Sequence, residues 1–273
     1  MIKLIVLLIS LICSIVTTIL LDITGALNIT LFIILFTLGY ILVQIILFFL
    51  SLTLIVIFSN KKEVKHYNHK YRMIFVLYTR LLLSLFGIKL NVSGEELIPS
   101  DTTFVLVHNH LSNLDPIILN VYLRNKPLVF MAKKSLAKIP WFGLILRKSG
   151  FLFLERDGSS KDAYVIARGI KYLRNEECSV GIAPEGTRNF TDELLLPFKD
   201  GSFIMAIKAK KPIVVSVITK VQQVNKGLLF KKHVVNVDFL GVLKYEDFKD
   251  LTHEELSSKV YNMMYQHLVE NGK

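Results

Sequence analysis

Two short polar clusters carry the residue types that perform acid–base and anion chemistry: Asn109-His110-Leu111-Ser112-Asn113-Leu114-Asp115 and Pro184-Glu185-Gly186-Thr187-Arg188. An imidazole followed five residues later by a carboxylate can form an oriented base. If the residues between them turn into a helix start, Asp115 folds back onto one ring nitrogen of His110 and leaves the other to accept a proton. The same spacing also describes an ordinary loop histidine beside a helix N-cap aspartate, and the pair alone does not separate the two readings. His108 shares a face of an extended segment with His110. With Asp115 the two histidines would make three metal ligands, but no third histidine lies near in sequence and no metal is expected. Ser112 stands only two residues from His110, a poor position for a nucleophile served by that base.

The second cluster follows the apolar run 179–183. Pro184 and Gly186 shape a tight turn, and such turns aim backbone N–H groups at an anion. Arg188 offers a guanidinium that grips phosphate with two parallel hydrogen bonds. Alone, a loop with Glu185 and Arg188 is more often a surface ion pair. Two further cations follow apolar runs: Arg156 after Gly150-Phe151-Leu152-Phe153-Leu154-Glu155, and Lys133 with Lys134 after 128–131.

The elements that must position these groups alternate. Strands are expected over 103–108, 127–131, 151–155, 178–183, 212–218 and 234–240, where Val, Ile and Phe are frequent and Gly or Pro lies nearby. Helices are expected around 115–123, 138–148, 160–174, 200–210 and 255–269. Pro116 suits a first helical turn, Ser159 and Ser160 are N-cap candidates, and Thr252-His253-Glu254-Glu255 is a capping-box pattern. Residues 73–86 are mostly apolar and end at Gly87, as a core helix or one docked on a membrane would. Strands alternating with helices indicate an α/β fold with a mixed, largely parallel sheet flanked by helices.

The N-terminus is different in kind. Between Lys3 and Lys61 the only charged residue is Asp22. Residues 4–21 and 29–59 are each long enough to cross a bilayer, so residues 1–60 read as a membrane helical hairpin. A cleaved signal is the competing reading, but the first run exceeds a usual h-region and no A-x-A-like site follows. Residues 61–72 are basic and open a domain expected over 61–273. The connector 22–28 has no basic residue, so the positive-inside rule puts residue 60 onward in the cytoplasm. The net charge of +11 suits anionic headgroups; no nucleic-acid module is visible, and no nucleic-acid partner is expected. Cys13 and Cys178 form no disulfide framework.

Taken together, these blocks resemble the glycerolipid acyltransferases, specifically the 1-acyl-glycerol-3-phosphate (lysophosphatidate) acyltransferases. The family pattern N-H-x4-D corresponds to Asn109–Asp115, G-x-x-F-[IL]-[DE]-R to Gly150–Arg156, and P-E-G-T-R to Pro184–Arg188. The apolar block near Lys211–Ser216, the runs Ala132–Leu136 and Ile139–Gly143, and Phe198-Lys199-Asp200-Gly201 follow in the same order. The match covers roughly residues 90–220. Ala183, Val215 and Leu111 depart from the usual residues and touch loop shape. The resemblance implies a base, His110, oriented by Asp115, that deprotonates the sn-2 hydroxyl of lysophosphatidate for attack on an acyl thioester, with no covalent acyl-enzyme. It implies Lys133, Arg156 and Arg188 for the acceptor phosphate, Glu185 for the glycerol hydroxyl or for holding an arginine, and Gly186 and Thr187 for loop shape. It implies acyl-CoA or acyl-carrier protein as co-substrate, no further cofactor and membrane lipid as partner, while low glycine, abundant lysine and isoleucine and the compact size point to a bacterial inner membrane, with an organelle membrane as the alternative. Another acceptor (glycerol 3-phosphate, a lysophospholipid or an aminolipid) would use the same base. A non-catalytic binder of anionic lipid would use only the basic surface.

Overall fold

The computed structural model describes residues 26–58, 64, 66–155, 160–225 and 232–271, with Leu8, Leu11, Ile12, Ile15, Val16 and Ile19 as separate helical positions. The chain divides into two compact units, Met1–Lys62 and Glu63–Lys273. In the first, helix α1 (Ala26–Phe58) carries no acidic residue in its first turn and no basic residue in its last. Its segment Leu31–Ile55 has a mean hydropathy of 2.7 and is long and apolar enough to cross a membrane. Most of the apolar run 4–21, the other arm expected of a hairpin, lies outside the described residues.

The second unit is built on one seven-stranded sheet. Its strands are β1 (Ile88–Ser93), β2 (Val105–His108), β3 (Leu128–Lys133), β4 (Leu152–Leu154), β5 (Ser179–Ile182), β6 (Ile213–Thr219) and β7 (His233–Leu243). They lie side by side in the order β1-β7-β6-β2-β5-β3-β4. Every neighbouring pair is parallel except β6 with β7. All four residues of β2 and all seven of β6 are buried. That is why both read as unbroken apolar runs: a parallel sheet covered on both faces has no polar side to show. β1 is the strand that the apolar-run criterion passes over. Its Ile-Lys-Leu-Asn-Val-Ser alternates half-buried and exposed, the pattern of a strand wetted on one face.

Parallel neighbours need crossovers, and helices supply them. Helix α3 (Asp115–Tyr122) joins β2 to β3, α4 (Phe142–Ser149) joins β3 to β4, and α5 (Ser160–Arg174) joins β4 to β5. The helix expected over 138–148 begins only at Phe142. Residues 134–138 form a 3-10 turn, and Phe142 N–H bonds to the Pro140 carbonyl at 2.5 Å across a tight turn at Trp141. The segment 200–210 likewise divides into a 3-10 turn (Asp200–Phe203) and α6 (Ile204–Ala209). A short helix α7 (Gln222–Asn225) follows β6.

The apolar segment near 73–86 is α2 (His69–Leu85), started by Asn68, whose side chain accepts from Tyr71 N–H. One face of α2 is buried and holds Arg72, Phe75, Val76, Thr79 and Leu83. Arg72 is fully buried without a carboxylate. Its guanidinium donates to the carbonyls of Leu128 (2.9 Å), Arg124 (2.8 Å) and Leu123 (2.8 Å), where α3 ends and β3 begins. The Leu123 carbonyl also accepts Lys126 N–H at 2.9 Å, and the guanidinium completes this helix end and pins α2 to the sheet. The last helix, α8 (His253–Asn271), starts with the capping box expected from its sequence: Thr252 N–H donates to Glu255 Oε2 at 2.7 Å and Glu255 N–H to Thr252 Oγ1 at 3.2 Å.

Candidate active site

β2, β5, β3 and β4 run parallel, so their carboxyl ends share one edge of the sheet. Crevices beyond carboxyl ends are where open α/β sheets place ligands. His110 leaves β2, the Glu185–Arg188 loop leaves β5, Lys133 ends β3, and Glu155 follows β4. Because adjacent strands stand ≈ 4.8 Å apart, strand order alone ranks these groups in a row outward from His110.

The loop after β2 is held at nearly each step. Helix α3 starts at Asp115, and the aspartate folds back onto the loop before it. Asp115 Oδ2 accepts from His110 Nδ1 at 2.9 Å, from Leu111 N–H at 2.8 Å and from Ser112 N–H at 2.8 Å. The His110 side chain retains 16% of its exposure while that of Asp115 has none. The imidazole is therefore pinned through Nδ1, with Nε2 as its remaining nitrogen. Burial pushes the Asp115 carboxyl above its ordinary value, and the hydrogen bonds from His110, Ser112 and Leu111 oppose that rise.

The second loop grips the backbone of the first. Glu185 Oε1 accepts His110 N–H at 2.6 Å, and Asn189 N–H donates to the His110 carbonyl at 2.8 Å. Glu185 Oε2 accepts Leu196 N–H at 3.1 Å. Both oxygens of this buried carboxylate are thus engaged by backbone, an arrangement that braces two loops and differs from the expected grip on a hydroxyl or an arginine. Burial raises the Glu185 carboxyl, against the hydrogen bonds from His110 and Leu196. Gly186 takes φ +68°, a left-handed conformation that favours glycine. Thr187 is exposed. The Arg188 guanidinium lies 4.6 Å from the ring centroid of Phe190, which is 76% exposed at the loop tip.

Two residues flanking the base were not singled out as site residues in the sequence. Asn109 is buried, and its carboxamide behaves like a peptide group. Its Nδ2 donates to the Ile218 carbonyl at 2.9 Å and its Oδ1 accepts Ile218 N–H at 2.7 Å. The backbone pairing of β2 with β6 ends at His108 and Ser216, and the Asn109 side chain extends that ladder to the foot of His110. His108 is buried, and its Nδ1–H donates to the Asn109 carbonyl at 2.6 Å. Burial, and then the neighbouring His110, push the His108 imidazole down to about 3, so it is neutral. Its ring stands edge-on to that of His110, with centroids 6.3 Å apart.

Lys133 lies further along the edge, at the end of β3. Lys133 is exposed and in register with Leu154 of β4. Arg156 lies outside the described residues. Its predecessor Glu155 forms an ion pair with Lys134. Glu155 also lines a cavity of about 550 Å³ together with Arg147, Phe151 and Phe153. Cys178 is buried and its thiol is pushed upward by burial.

Comparison with known proteins bears on this geometry. The family model described as Acyltransferase matches residues 89–219, which hold both loops and all four carboxyl-edge strands. The 1-acyl-sn-glycerol-3-phosphate acyltransferase of Borreliella burgdorferi is 38% identical over 47% of this chain and 50% of its own length. That of Saccharomyces cerevisiae is 30% identical over 69% of this chain and 62% of its own. That of Escherichia coli is 29% identical over 78% and 83%. The chain thus spans from half to five-sixths of these curated relatives. The crystal structure of the 1-acyl-sn-glycerophosphate (LPA) acyltransferase, PlsC, from Thermotoga maritima superposes with a TM-score of 0.60 over 74% of this chain and 80% of that one, at 23% identity. That likeness establishes the fold. With the motif blocks lying on the elements the fold requires, residues 89–219 form a domain that matches the acyltransferase family model.

Proposed function

We propose that this chain is a membrane-anchored 1-acylglycerol-3-phosphate O-acyltransferase that forms phosphatidate from lysophosphatidate and an acyl thioester. The observation that carries this reading is the Nδ1–Oδ2 bond between His110 and Asp115, set at a carboxyl edge beside an anion-suited loop. The relatives named 1-acyl-sn-glycerol-3-phosphate acyltransferase support the choice of acceptor.

In this mechanism Nε2 of His110 takes the proton of the acceptor's sn-2 hydroxyl as its oxygen attacks the thioester carbonyl. Asp115 stabilises the imidazolium that forms. The tetrahedral oxyanion collapses, the C–S bond breaks, and the proton passes from His110 to the departing thiolate. Base assistance of this kind contributes about 10²–10⁴-fold. Arg188, Lys133 and Arg156 are assigned to the acceptor phosphate, and Gly186 and Thr187 to the turn that presents Arg188. Glu185, with both oxygens engaged by backbone, is assigned to bracing His110. Acyl-CoA or acyl-carrier protein is the donor. The basic residues that follow α1 support a cytoplasmic side for the catalytic unit under the positive-inside rule.

The test is transfer of labelled palmitate from acyl-CoA, and separately from acyl-carrier protein, onto lysophosphatidate in vesicles, with His110→Ala beside the wild type. Phosphatidate made by the wild type, and reduced about 10²–10⁴-fold in the variant, is the expected result. Equal rates for the two proteins would overturn the base assignment. Product only with a different acceptor would overturn the substrate.

A further inference from the structure

The face of α2 opposite Arg72 is apolar and open to solvent. Met73, Leu77 and Leu81 recur at helical spacing and form one stripe; Leu77 is 66% exposed and Leu81 50%. A helix buried on one side and apolar on the other has two surfaces to cover, and α3, α4 and the sheet cover only one.

A second apolar feature sits on the element packed against α2. Helices α2 and α4 are in contact, with the rings of Phe75 and Phe142 6.0 Å apart. The turn leading into α4 presents Ile139, 44% exposed, and Trp141, 37% exposed. Trp141 has φ +53° and ψ −58° and is the centre of a γ-turn closed by Phe142 N–H and the Pro140 carbonyl. This is the uncommon, strained hand of that turn. Strained backbone clusters at functional sites, and here it occurs where Trp141 is partly exposed.

Charge indicates what the surface meets. Residues 64–94, which supply α2, contain no aspartate or glutamate, and neither do residues 116–154, which supply the turn and α4. Both stretches carry lysine and arginine, including Lys70, Arg80, Lys138 and Arg147. An apolar stripe and an indole carried on these acid-free, cation-bearing stretches match an anionic bilayer interface, the acids Glu155 and Asp162 standing in the cavity beside Ala137 and Arg147. There, tryptophan sits at headgroup level and basic residues meet lipid phosphate. We infer that the catalytic unit itself docks on anionic membrane through Met73, Leu77 and Leu81 of α2 and the Ile139–Trp141 turn, as a contact additional to the apolar helix α1. This does not depend on which reaction His110 performs.

The chain has one tryptophan, so emission reports on the turn without mutation. The full-length protein would be reconstituted in phosphatidylcholine–phosphatidylglycerol vesicles containing lipids brominated near the headgroup or near the chain end. Expected are a blue-shifted emission and stronger quenching by the headgroup-proximal bromines. Emission quenched by aqueous iodide and untouched by either bromolipid would overturn the inference. So would a blue shift without bromolipid quenching, the result if another part of this chain or a second copy covers the turn. In a second arm, Leu77→Glu with Leu81→Glu, both at exposed positions, should weaken bromolipid quenching while circular dichroism stays unchanged. Undiminished quenching would remove α2 from the surface.

Discussion

At the scale of single residues, the site is defined less by the groups facing substrate than by those holding His110. Its N–H is bound by Glu185, its carbonyl by Asn189, and its ring by Asp115. Glu185→Gln tests the bracing role. A carboxamide can accept from one of the two N–H groups but turns its own N–H₂ toward the other, leaving a buried donor unmet at a cost of about 1–3 kcal/mol. Turnover should fall with little change in the KM for acceptor, as kinetics on the variant would show. A KM effect dominating kcat would instead place Glu185 on the substrate. His108 makes a different prediction. Its imidazole is depressed from 6.5 to about 3 in the folded chain, so below about pH 6.5 the unfolded chain takes up a proton that the native one refuses. Stability therefore falls as pH is lowered through that window, at a limiting slope of about 1.4 kcal/mol per pH unit. Thermal midpoints in detergent should drop less on acidification in His108→Gln than in the wild type. The spacing of His110 and Asp115 left two readings open, and the accompanying sequence blocks favoured the oriented base. The roles of Asn109 and Glu185 were not, because their partners Ile218 and Leu196 are ordinary apolar residues whose contribution is a main-chain group.

At the scale of elements, α2 is tied to the sheet by one buried guanidinium. Arg72→Met would take the guanidinium from three carbonyls at the α3–β3 junction, of which that of Leu123 keeps Lys126 N–H as a donor. With hydrogen bonds to charged groups worth about 1.5–3 kcal/mol each, the thermal midpoint should fall steeply. Arg72→Lys should rescue only part of it, since a single ammonium cannot match a planar fork. A midpoint for Arg72→Met within error of the wild type would show that these carbonyls are otherwise satisfied. The strands buried on both faces were visible as apolar runs. The start of α4 was misplaced because Pro140 and the γ-turn at Trp141 delay it to Phe142, whereas the sequence pattern there is continuously apolar. β1 was passed over because Ile88, Leu90 and Val92 alternate with polar residues.

At the scale of the whole molecule, two compact units differ in kind: Glu63–Lys273 carries a buried mixed sheet, while within Leu31–Ile55 of the first unit Leu52 alone is buried. Removing residues 1–62 is expected to leave the far-ultraviolet circular dichroism of the second unit intact. Transfer to a short-chain, water-soluble acceptor should persist while transfer to a long-chain acceptor in vesicles falls, since anchoring raises local concentration without adding affinity. Equal loss on both acceptors would make the first unit part of the catalytic fold. The parallel core was legible because crossover folds impose an alternation of short apolar runs and helices. The strand order was not, since nothing in a linear chain tells that β5 inserts between β2 and β3.

The bonds from Glu185 and Asn189 to the His110 backbone also govern how such a site can diversify. Because the anchors sit at the root of the second loop, and Asn189 also binds Thr191 and the Glu193 carbonyl, exchange without displacing the base is expected of exposed tip side chains outside that bonding, such as Phe190. Changes at Glu185, Gly186 or Asn189 are transmitted to it at once. Lineages that retune which lipid is accepted would be expected to accumulate their substitutions at the tip and keep the root unchanged. A library randomised in those two zones should show the same division of tolerance.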